Sequence, residues 1–133
     1  MSTAVRSVRK GLDTALLADA AVEAMIADRV YVDSQKPEGA TLPFISFGTP
    51  TEGRFNTFSA DGNDGTRLLH LYGIDEDVVE ALYEEVERVV REDVSLTGHV
   101  GLRLSCSLLS VSADPSGGAH GVVRVSALTQ KVV

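Results

Sequence analysis

The chain has 133 residues, 44% of them hydrophobic and 23% charged, which fits one globular domain over residues 1–133, about 14 Å in radius of gyration, rather than a disordered chain. A formal net charge of −7 argues against a face that neutralises phosphates along a nucleic acid. With 5% aromatics, no Trp and a single cysteine, the core must come from Val, Leu, Ile and Ala, and a disulfide framework or a cysteine-based metal cluster is excluded.

The first thirty residues read as helical, because Val5, Val8, Leu12 and Leu16 recur at steps of three and four, with Leu17, Ala21 and Ala24 close behind. Asp19 is placed to cap a second helix, and one long helix broken near Leu17–Asp19 is the alternative. Basic residues near the N-terminus have no uninterrupted apolar run behind them, so neither a secretory signal nor a membrane span is expected. Residues 29–32 alternate like a short strand, and the polar residues 33–39 form a loop.

Pro43 opens a second strand, "PFISFG", a position where proline is tolerated. Residues 66–74 form a third, apolar on both faces and therefore central. Asp75 to Arg91 is an amphipathic helix with a stripe of Ile74, Val78, Leu82, Val86, Val89 and Val90 and an acidic outer side. Acids near its start and Arg88 and Arg91 near its end suit the helix dipole. "LRLSCSLLSVS" alternates, then slips register at Leu109, which predicts a bulge, and residues 122–130 return antiparallel after the Gly-rich turn 114–121. Cys106 falls in this alternation and reads as a plain buried thiol. The predicted class is α+β: a mostly antiparallel sheet of about five strands, with one or two N-terminal helices and one long acidic helix packed on one face.

Catalytic signals are missing from the sequence. His70, His99 and His120 have no partner at metal-ligand spacing, there is no nucleophile elbow, and "GNDGT" lacks the lysine and the following helix of a phosphate loop. No catalytic, metal or cofactor site is therefore expected. Residues 52–66, "EGRFNTFSADGNDGT", read differently. Turn chemistry fills their second half, yet the first half holds two of the four phenylalanines. Read as an exposed loop, it offers Arg54, Phe55, Phe58, Asp61 and Asp64 as an interaction surface; the alternative is that both rings tuck back as satellite core.

The run "LLADAAVEAMIADRVYVD", a polar loop and "LPFISFGTP" resemble the opening of the small tail-completion, or tail-terminator, proteins of long-tailed bacteriophages. The features that match are Arg29-Val30-Tyr31, Pro43-Phe44-Ile45, Asp61-Gly62 before a strand, the acidic helix and the closing hairpin, in that order from Leu12 to Gln130. Relatives often have a Trp before the acidic helix, where this chain has "LYGID" and Tyr72 takes the place.

The resemblance implies a subunit of a homo-oligomeric ring, commonly of six, at the head-proximal end of the tail tube. Such a ring stops tube polymerisation and docks the head connector. It implies no cofactor and no catalysis. The expected partners are the tail tube protein and the connector or stopper protein; DNA passes through the lumen without specific binding, and no membrane is involved. The place is the neck of the virion, after assembly in the host cytoplasm. A closed ring needs two different patches per copy, and the 52–66 and 114–121 segments are the candidates. Six copies at −7 each carry −42, which suits an acidic lumen along which DNA slides. The competing expectations are a head-side connector or stopper, and a small α+β enzyme or binding protein in which His70, His99 or Arg67 converge on a pocket.

Overall fold

The computed structural model describes residues 4–32, 39–57, 60–115 and 117–131, with the backbone alone for 52–57, 60–61, 102 and 131. Helices α1 (Ala4–Ala18) and α2 (Ala20–Ile26) precede strands β1 (Val30–Val32), β2 (Phe44–Thr57) and β3 (Ala60–Gly73). Helix α3 (Glu76–Glu92) and strands β4 (His99–Ala113) and β5 (Ala119–Lys131) follow.

Asp19 ends α1 by adopting an extended backbone, and its carboxylate accepts from the Val22 N–H at 3.1 Å to cap α2. The same carboxylate takes both of its oxygens to Arg88 Nη2 of α3, at 2.9 and 2.8 Å, while that nitrogen also donates to Glu85 at 2.9 Å. One side chain thus breaks a helix, caps the next and ties it to a third. Desolvation pushes the Asp19 carboxyl up, but the Arg88 guanidinium and the Val22 and Ala21 N–H groups outweigh it and hold it below the usual carboxylate range. A depressed native value stabilises the fold above the unfolded value and loses that contribution as pH falls through the native one. Asp19→Ala should therefore cost about 0.5–2 kcal/mol from the cap alone. In acid titrations it should also flatten the loss of stability below about pH 4, which chemical denaturation at several pH values would check.

In α3, Asp75 accepts from the Val78 N–H at 2.9 Å as the cap, so the helix starts after Ile74. The buried stripe keeps Leu82, Val86, Val89 and Val90 as expected and takes Val79 in place of Val78, while Ile74 is 65% exposed in the turn ahead of the cap. On the N-terminal helices the buried residues include Val8, Leu12, Leu16, Val22 and Ile26, and Ala21 and Ala24 are exposed instead.

The five strands form one mixed sheet in the order β1-β2-β3-β5-β4. β1 joins β2 in parallel, and the other three pairings are antiparallel. β3 lies between β2 and β5, which explains its two apolar faces. β4 shifts register between Leu108 and Ser110, where the sequence pattern slips, and again between Gly101 and Arg103. All three helices contribute to the core against one face of the sheet, which presents Ile45, Phe47, Leu69, Leu71, Val123, Val125 and Ala127. Leu104, Cys106, Leu108 and Val111 of β4 pack at its margin. Gly121 lets α3 come close to the sheet, since a Cβ there would stand 2.6 Å from Val79 Cγ1.

Candidate interaction surfaces

The segment read as an exposed loop is a β-ribbon. β2 and β3 stay paired from Phe44↔Tyr72 out to Thr57↔Ala60, through one irregularity between Phe47 and Pro50. The Asp61-Gly62 and Asp64-Gly65 turn signals are overridden because β5 pairs alongside, from Gly62↔Gln130 to Gly73↔Ala119, and gives that stretch a second ladder of hydrogen bonds. Arg54, Phe55 and Asp61 occupy strand positions opposite Asn63, Gly62 and Asn56, and Asp64 is exposed opposite Gly53. Phe58 lies outside the described residues. The ribbon's core residues all belong to its root, Phe44–Phe47 and Leu69–Leu71; no described side chain of its outer half joins the apolar cluster.

The turn at 114–118 is folded on itself, with Asp114 N–H donating to the Gly118 carbonyl at 3.0 Å and Gly117 N–H to the Asp114 carbonyl at 2.9 Å. Gly118, at a φ of 82°, sits so close to the Gly73 carbonyl that no side chain fits. The turn is thereby packed against the end of β3 rather than standing free, which weakens its candidacy as the second patch.

None of the described helices packs on the sheet's other face. A row of rings crosses it: Tyr31 meets Phe44 edge-on at 5.7 Å, Phe44 stacks on Tyr72 at 4.6 Å, and Tyr72 stacks on His120 at 4.4 Å. His70 Nδ1 lies 2.8 Å from His120 Nε2, so one imidazole donates to the other. Two of the three histidines are therefore brought together, because the β3–β5 register sets Tyr72 opposite His120 with His70 two residues along on the same face. Sequence spacing of 50 residues hid this pair. Farther along the same face, exposed Ser105, Ser107, Ser110 and Ser112 accompany Arg103 and Arg124. Asp64 lies on this face as well, by alternation with His70 and Tyr72, whereas α3 carries seven acids against Arg88 and Arg91.

His99 is apart from that pair and is buried. Its Nδ1 lies 3.0 Å from Ser7 Oγ, which itself donates to the Thr97 carbonyl at 2.8 Å. The hydroxyl proton is committed to a carbonyl, so the imidazole donates to the serine oxygen and does not act as its base. The contact pins α1 to the segment before β4. Arg67 is buried on the helix face with its guanidinium 5.4 Å from the Phe47 ring centre, away from both histidine sites. His70, His99 and Arg67 thus do not share a pocket, and no cluster of three or more potential metal ligands occurs among the described residues.

Cys106 is half-buried under α3, and Tyr83 Oη donates to its carbonyl at 3.3 Å. Burial, with Glu87 second, pushes its thiol up to about 11. The reactive thiolate is accordingly scarce at neutral pH. Alkylation by iodoacetamide at pH 7.5 should be slow in the native protein and rise sharply when denaturant unfolds it, as mass spectrometry would show.

A family profile described as "Tail completion protein gp17" matches residues 10–130. No curated protein matches the chain. Among solved structures, a chain from the virion of a native gene transfer agent particle superposes with a TM-score of 0.79 at 16% identity, covering 98% of this chain and 100% of that one. The gp17 protein of bacteriophage SPP1 superposes with a TM-score of 0.60 at 17% identity, covering 98% of this chain and 91% of its own.

Proposed function

Since the chain belongs to the tail completion protein gp17 family, we propose that it is a structural protein of a phage-type virion, one domain that assembles into a ring at the head-proximal end of the tail tube. The ring, of six copies, stops tube growth and presents the surface on which the head connector docks. DNA passes through it unbound. The observation that carries this reading is the family match over residues 10–130.

Geometry supports it in two ways. The outer half of the β2–β3 ribbon adds no described side chain to the apolar cluster, and it places Arg54 and Phe55, residue types that anchor interfaces, on paired strand positions with Asp61 and Asp64 beside them. The Ser7–His99 contact is wired as a structural pin. Light scattering on a sizing column, across concentration and salt, tests the ring directly: a discrete species of six chain masses is the expected result. Loss of the gene should give tubes of uncontrolled length. Particles with tubes of normal length and no head attached would instead assign the protein to the head side.

A further inference from the structure

Among the described residues the sheet leaves two edges unpaired, and they match. On one side, β1 covers β2 only at Ile45–Phe47, so no described strand pairs with the outer side of β2 from Thr51 to Thr57. On the other side, β4 is the terminal strand, and between its two register shifts Arg103 to Leu108 form a regular run. A strand of this length with one side of its ladder open is a template for another strand, and neither run contains a proline or lysine to block it.

Direction and level agree as well. β2 runs from root to tip and β4 from tip to root, because β2, β3, β5 and β4 alternate in direction. The register chain places Thr51 level with Thr66, Ser126 and Ser105, and Gly53 level with Asp64, Leu128 and Arg103. A neighbour turned about an axis along the strands, with no shift along it, therefore brings its β2 edge antiparallel to β4 at the same height. The contact is head-to-tail and uses two different edges of each copy, the condition for closing a ring in which no edge is left over.

We infer that the occupant of the β4 edge is a second copy of this chain: Arg103–Leu108 of one copy pairs antiparallel with the outer half of β2 in the next, joining the sheets into a continuous wall. This rests on the ring reading and specifies its contact. The test uses the full chain with Cys106→Ser as background and places Thr51→Cys together with Ser105→Cys, both exposed positions, then adds a short bismaleimide. Companion pairs with Arg103→Cys or Ser107→Cys in place of Ser105→Cys allow for a register shift of two residues either way. The expected result is a ladder of covalent oligomers ending at the ring, lost in either single-cysteine variant, with slowed backbone hydrogen exchange over residues 103–108 in the unmodified ring. A ring seen by light scattering that yields no ladder from any of the three pairs overturns the edge pairing and leaves the ring reading intact. Exchange that slows only when tail tubes are added, with no ladder, assigns the edge to the tube protein and also overturns it. A monomer under every condition overturns both.

Discussion

Phe55→Ser combined with Phe58→Ser leaves a folded monomer and weakens ring closure or tube docking by roughly thirtyfold or more, since an anchoring aromatic contributes about 2 kcal/mol or more at an interface. The expectation follows from the ribbon's construction. Its stability resides in the ladders with β5 and in the root residues Ile45, Phe47, Leu69 and Leu71, all of them buried, so the outer half can change without opening the core. Unfolding by denaturant and mass by light scattering, measured on the same sample, separate the outcomes. A wild-type midpoint with a lost or weakened oligomer assigns both rings to assembly; a loss of several kcal/mol in the monomer would return them to the core as large-to-small defects.

Leu82→Ala is expected to have the largest effect on stability. Leu82 is fully buried at the middle of α3, within the cluster that joins the three helices to the sheet. Truncation should cost about 2–5 kcal/mol and lower the melting temperature by roughly 7–18 °C for a chain of this size. Ile74→Ser is the matched control. Ile74 belongs to the same apolar run in the sequence but is 65% exposed, and its replacement should stay within about 0.5 kcal/mol. Equal losses at the two positions would place the helix start one turn earlier than the Asp75 cap does.

That contrast shows what the sequence could and could not disclose. The order of elements, the break at Asp19, the central position of β3 and the slip at Leu109 were all legible, because each is written in local chemistry: a capping carboxylate, a run apolar on both faces, an alternation that fails at one residue. The ribbon was not. Its Asp-Gly pairs are genuine turn formers, and only pairing with β5, more than 60 residues away, holds them extended. Nor was the row of rings legible, since Tyr31, Phe44, Tyr72 and His120 become neighbours through sheet order alone. The residues proposed for assembly rest on composition rather than on geometry: aromatic residues are scarce in this chain, and two of them lie within four residues.

The sheet order also sets a schedule. β5 follows every other strand in the chain, yet it lies between β3 and β4, which do not pair with each other. While the ribosome is still adding residues 119–131, β3 lacks one of its two neighbours and β4 lacks its only one, so the sheet cannot close before translation has passed Lys131. A nascent chain, or one cut short before β5, leaves β3 and β4 without the strand that joins them. The last strand in the order of synthesis is thus the keystone of the sheet, and every antiparallel pairing beyond β2–β3 waits for it.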